Sequence, residues 1–108
     1  MKIEPILPKL CPREHSRFEA LALFGSLLEE FFQWLRQKGY TLLSLENRLW
    51  KVPKLESWLR QRHKRTLEDL SQQDLRAAYD HFRGAPDLPG LIRGMRLFLS
   101  ERGLIPDG

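Results

Sequence analysis

From Leu21 to Leu35 the apolar residues Leu21, Phe24, Leu27, Leu28, Phe31, Phe32 and Leu35 recur every three or four positions, and the run then meets Gly39. That spacing lines one face of an α-helix, and no segment of useful length alternates with the period of a strand. The pattern predicts a first helix from about Ser16 or Phe18 to Lys38, with Gly25 as a point where it can divide in two. Glu29 and Glu30 lie earlier in it and Arg36 and Lys38 in its last turn, an order that suits the helix dipole. Gly39 fits the left-handed position after a helix end, where a side chain is unfavourable. Tyr40 is expected to make the apolar contact that follows.

Three more helices are expected downstream. Ser44 is read as the N-cap of the second, whose apolar face is Leu45, Leu49, Val52, Leu55, Trp58 and Leu59. Pro53 lies well inside it, and a proline there removes a backbone hydrogen bond and clashes with the preceding turn. A kink or break is therefore expected between Leu49 and Pro53. Leu67 and Leu70 anchor a connector. Ser71-Gln-Gln-Asp74 resembles a capping box with Asp in the usual Glu place, and opens a third helix carrying Leu75, Ala78, Tyr79 and Phe82. Pro89 is placed at the first position of a fourth helix that runs to about Arg102 and buries Leu91, Ile92, Met95, Phe98 and Leu99. Gly103 ends it, and Leu104 and Ile105 are expected to pack back on the bundle. Residues 1–16 hold Pro5, Pro8 and Pro12 and read as an extended N-terminal arm. The fold class is all-α, a bundle of four main helices with that arm.

A chain of 108 residues suffices for one domain with one core. Its apolar and charged fractions are those of a folded soluble protein. The net charge of +4 suits a polyanionic partner without demanding one. The one cysteine, Cys11, has no internal partner, which points to a reducing compartment and a free or partly buried thiol. No apolar run approaches a membrane span, and the early prolines break any signal-peptide core, so a cytoplasmic protein without membrane contact is expected.

The ordered landmarks carry a resemblance. LLEEFFQWLRQKGY, followed by S-L-x-x-R-L-x-x-V-x-x-L-x-x-W-L, then TLEDLSQQDLRAAYDHF, then LIRGMRLFLSERGLIPDG, together resemble the N-terminal core-binding domain of the tyrosine recombinase (phage integrase) family over about residues 24–108. The resemblance implies a four-helix SAM-like orthogonal bundle. It also implies a core-binding DNA-binding domain over 17–105, with 106–108 beginning a linker to a catalytic domain. In that family the domain forms half of a clamp on double-stranded DNA, with the second and fourth helices against the DNA and the first and third supporting them. Other recombinase protomers on DNA are implied partners, and the isolated domain is expected to be a monomer. Three departures bear on the geometry of the DNA face. Pro53 interrupts the second helix, Gly90 and Gly94 replace better helix formers at roughly 1 kcal/mol each, and the loop before the fourth helix is short.

The charge pattern agrees with a DNA face. From Arg48 to Arg65 there are seven arginines or lysines and one acid, Glu56, and Arg93, Arg96 and Arg102 follow on the fourth helix. The bland reading is a solvated basic surface. Against it, the acids gather elsewhere, at Glu29, Glu30, Glu68, Asp69, Asp74 and Asp80. The candidate DNA-binding residues are Ser44, Asn47, Arg48, Lys51, Lys54, Arg93 and Arg96. Most would contact phosphate, which yields affinity without reading sequence, while Asn47, Arg48 and Lys51 are candidates to reach base edges. Among the tryptophans, Trp34 and Trp58 fall on apolar faces, whereas Trp50 falls off one and is the candidate surface contact.

Recombinase chemistry needs a tyrosine nucleophile with a cluster of cationic groups around the phosphodiester. The family's His-x-x-Arg is missing, since Phe18, Thr66 and Gly84 stand three places after His15, His63 and His81. Tyr40 and Tyr79 read as structural. The chain is therefore read as non-catalytic, with no cofactor and no metal site, because one Cys and three His are scattered without paired spacing. The alternative reading is a non-enzymatic helical protein-interaction module whose basic face meets an acidic partner, with Trp50 and the proline arm in the interface.

Overall fold

A computed structural model describes residues 4–105, and helices with short connections account for all regular structure among them. In chain order these are α1 (Leu7–Leu10), α2 (His15–Glu19), α3 (Gly25–Gln37), α4 (Leu42–Leu49), α5 (Val52–Gln61), α6 (Gln72–His81) and α7 (Leu88–Glu101), with a 3-10 turn at Leu67–Asp69. The fold is all-α, as the periodicity requires. Residues 106–108, read as the start of a linker, and the first three residues of the expected arm lie outside the described residues.

The rest of the N-terminal segment is not an extended arm. Pro8 sits in the first turn of α1, where its missing N–H and fixed φ are compatible with a helix. Ile6, Leu7, Leu10 and Cys11 are all buried in the common core. A four-residue helix has little stability of its own, and this one is held by a carboxylate from another element. Glu29 on α3 accepts hydrogen bonds from the backbone N–H groups of Ile6 (2.8 Å to Oε2) and Leu7 (3.1 Å to Oε1). Cys11 is a buried free thiol.

Gly25 divides the first long run, and the reason is contact with α2. A Cβ there would lie 2.3 Å from the Glu19 carbonyl oxygen, so only glycine lets the two backbones approach this closely. Glu56 of α5 then reaches the start of α3 from below. It is 2% exposed, and its Oε1 accepts from the N–H of Leu23 (2.9 Å) and of Phe24 (2.8 Å). These are donors that the helix start leaves without intrahelical partners.

The expected break in the second helix is present, with α4 ending at Leu49 and α5 beginning at Val52 with Pro53 in its first turn. The start of α4 differs from expectation. Thr41, not Ser44, is the N-cap, and its hydroxyl accepts from the Ser44 N–H at 3.2 Å. By composition Ser is the somewhat better cap, and the extended backbone at Thr41 overrides that preference. Ser71 and Asp74 form the expected reciprocal box on α6, and Thr66 and Asp69 form a second around the 3-10 turn. The last helix begins one residue before Pro89, with Asp87 as its N-cap in a left-handed conformation (φ 65°). Gly39 and Gly103 have positive φ, 102° and 68°, as their positions after helix ends require.

The core joins α3 and α7 through aromatic rings. Phe31 lies 5.3 Å from Phe98 between centroids, and Trp34 lies 5.5 Å from Phe98, edge-on. Fully burying a side chain of this size contributes on the order of 2–3 kcal/mol. Trp34 is buried and Trp58 half-buried, while Trp50 is 47% exposed and packs edge-on against Phe18 at 5.3 Å. Ile105 packs back on the core, but Leu104 is left 40% exposed. The helix α7 packs against α3, α4, α5 and α6, so residues on its outer turns border several neighbours at once.

Candidate nucleic-acid interface

Gly90 and Gly94, one turn apart, make α7 thin on the side that meets α3 and α4. A Cβ at Gly94 would lie 3.4 Å from Leu35 and 3.6 Å from Phe31, and one at Gly90 would lie 3.3 Å from Nη2 of Arg48. Both glycines thus lie at contact distance from a neighbouring element, Gly94 against α3 and Gly90 against the Arg48 guanidinium.

That close approach brings two of the candidate residues together. Arg48 of α4 and Arg93 of α7 line one groove of about 580 Å³, with Trp34 and Lys38 of α3, Tyr40, Leu97 and Glu101 along its length. The Arg48 side chain is half-buried and held in place. Its guanidinium lies 4.5 Å from the Tyr40 ring centroid, and Nη1 donates to the Ser44 hydroxyl and to the Ser44 carbonyl oxygen at 3.3 Å. Such a cation–π contact orients the guanidinium plane while leaving donors free. Lys38 Nζ lies 4.6 Å from the Trp34 ring centroid in the same groove. Glu101 is the acid of this lining and sits with Leu97 on the outer turns of α7.

The other candidates fall in different places. Ser44 does not line the groove but holds Arg48 in it, which makes it a positioning group. Arg96 lies on the α6 side of α7, in a second depression that it shares with Arg93. Asn47 is exposed on α4 but does not line the groove. Lys51 stands in the break at the N-cap position of α5 without a capping side-chain bond, and Lys54 Nζ lies 6.0 Å from the Phe82 ring, toward α6. The break at Pro53 separates these two lysines from the groove that takes Arg48.

Sequence reasoning missed Lys38 and Tyr40, which reach the groove from the end of α3, and Arg76 and Tyr79 on α6, which border the second depression. The Gly39 turn was the available signal for the first pair, since it folds Tyr40 back beneath α4. The pair at i and i+3 on α6 had no signal beyond its own spacing.

The acids decide the electrostatics. Glu29 and Glu56 are turned onto backbone N–H groups. Asp69 and Asp74 serve capping boxes, Asp74 also pairs with Lys64 at 3.3 Å, Asp80 pairs with Arg83 at 3.2 Å, and Glu30 pairs with Arg102 at 2.7 Å. Arg48, Arg93 and Arg96 form no ion pair with a carboxylate among the described residues. The Asp69 carboxyl is held below the usual aspartate range by the N–H groups of Arg65 and Thr66 that donate to it.

Among the described residues no group of three or more His, Cys, Asp or Glu is placed to hold a metal ion, and no helix is long and apolar enough to cross a membrane. Comparison of the chain with protein-family models, with curated proteins and with solved structures found no match in any of the three.

Proposed function

We propose that this chain binds duplex DNA through the face made by α4 and α7, as the core-binding half of a tyrosine recombinase clamp. The observation that carries the DNA reading is the convergence of Arg48 and Arg93 in one groove, neither ion-paired among the described residues, while Glu30, Asp74 and Asp80 are taken up by other basic residues. Guanidinium groups held this way suit phosphate oxygens, which accept two parallel N–H bonds from one fork. The recombinase assignment rests on the ordered sequence landmarks. It places strand cleavage and rejoining in a separate catalytic domain, and makes this chain a monomer that meets other protomers on DNA.

The test is a titration of the isotope-labelled chain with a nonspecific duplex of about 20 base pairs at low salt, repeated as salt is raised. Backbone and side-chain shifts are expected at Arg48, Arg93 and Lys38, reversing with salt. Arg48→Gln with Arg93→Gln is expected to weaken binding by about tenfold or more. Equal shifts at every basic residue, with no effect of the double substitution, would reduce the reading to generic charge attraction.

A second reading has one specific observation behind it. Leu43 and Leu97 are 68% and 58% exposed, more than a bare DNA face needs, and they favour a protein partner with an acidic and apolar surface. Binding of such a partner without any duplex binding would replace the DNA reading.

A further inference from the structure

On the other side of Arg93 from the groove lies a smaller depression of about 290 Å³ between α6 and α7. Its walls are Arg76 and Tyr79 from α6 and Arg93 and Arg96 from α7, and its apolar floor is Leu75 and Ile92. The four polar side chains form two i,i+3 pairs on facing helices, the spacing that sets two residues on one helix face. No carboxylate lines the depression. None of the three arginines is ion-paired among the described residues. The two acids of α6 are engaged elsewhere, Asp74 with Ser71 and Lys64 and Asp80 with Arg83, while Glu101 lines the neighbouring groove on the far side of Arg93.

Three unpaired guanidinium groups gathered over an apolar floor repel one another. An anion with several acceptor oxygens relieves that repulsion and satisfies their donors together. The size of the depression suits a compact tetrahedral anion with its waters. Leu75 and Ile92, at 0% and 1% exposure, keep the floor dry and strengthen charge interactions above it.

We infer that Arg76, Tyr79, Arg93 and Arg96 form a seat for a phosphate group. Resting on the duplex reading, the phosphate is one of the DNA backbone. Arg93 borders both depressions, so the strand crosses α7 there, with one phosphate on the Arg48 side and another on the α6 side. This makes α6 a DNA-contacting element, where the resemblance assigns its counterpart a supporting role. The same chemistry would also accept a free phosphate or phosphomonoester, and the two sources are separable.

The experiment follows the arginine side-chain Nε–H resonances of the intact chain during two titrations, one with inorganic phosphate and one with the nonspecific duplex. Arg76→Gln and Arg76→Lys are run alongside. Arg76 is exposed, so both variants are expected to melt with the parent. The expected result is that both titrants move Arg76, Arg93 and Arg96. Arg76→Gln should then weaken duplex binding by about tenfold and lower the salt slope by about one, with Arg76→Lys restoring the slope but not all of the affinity. Duplex shifts confined to Arg48 and Arg93, with Arg76→Gln binding as the parent, would overturn the seat and leave the duplex reading standing. Phosphate shifts at Arg76 without any duplex binding would retain the seat as a site for a free phosphate and overturn the duplex reading. No response to either titrant would overturn both.

Discussion

At the α1–α3 end of the molecule two carboxylates are turned inward onto backbone N–H groups, whereas on the α4, α6 and α7 face four arginines form no ion pair among the described residues. Glu56 is buried and satisfied, and Arg93 is exposed and unsatisfied. Both are charged helix residues, yet one holds the fold and the other is available to a partner. The difference lies in the supply of donors and acceptors. Helix starts leave N–H groups without partners, which attract carboxylates. Some guanidinium groups likewise find backbone carbonyls, as Arg36 does at Tyr40, but each carries five donors, and those of Arg93 have no partner among the described residues that would use them.

If that contrast is right, removing a capping acid must damage stability and removing a face arginine must not. Glu56→Ala leaves the buried N–H groups of Leu23 and Phe24 without an acceptor and is expected to destabilise the fold by about 3 kcal/mol in chemical denaturation. Arg93→Gln in the same experiment should shift the midpoint by less than about 0.5 kcal/mol. Equal losses in the two variants would erase the distinction between the regions.

Gly25→Ala probes how closely the N-terminal region is assembled. Its Cβ would meet the Glu19 carbonyl oxygen, which is backbone and cannot swing aside. A loss of about 2 kcal/mol is expected, with amide exchange rising first in α1 and α2. An unchanged exchange pattern would show that those short helices do not depend on the contact.

The smallest effect concerns Asp69, an exposed capping acid outside both regions. Its carboxyl is held below the usual range by the Arg65 and Thr66 N–H groups. Its contribution to stability is therefore present above the ordinary aspartate range and disappears as the pH falls through the lowered value. Asp69→Asn should melt slightly below the parent at neutral pH and together with it in strong acid. A difference that persists or grows at low pH would assign the cap to something other than the carboxylate charge.

Much of the architecture was legible because its signals are short-range. Helical periodicity, the capping box at Ser71 and Asp74, the glycines at 39 and 103 and the break at Pro53 each act within a few residues. The N-terminal segment is less legible, because prolines signal helix breaking while Pro8 stands in a first turn where it is tolerated. Arg48 and Arg93 were named as candidates. Their sharing of a groove, and the separation of Lys51 and Lys54 from it, follow from the Pro53 break and from the packing of α7 against α3 and α4, which spacing alone does not reveal.

By itself the sequence determined an all-helical chain, its main helix boundaries and a surplus of arginines on its fourth main helix. These depend on local backbone preferences and on composition. Tertiary structure alone decided which charges are consumed. The capping bonds of Glu29 and Glu56 span 22–33 residues of chain, and the seat that joins Arg76 to Arg93 exists only because α6 packs against α7. Such pairings are set by the packing of whole helices, so the arginines left for a partner become evident only once the partners of the buried and capping carboxylates are known.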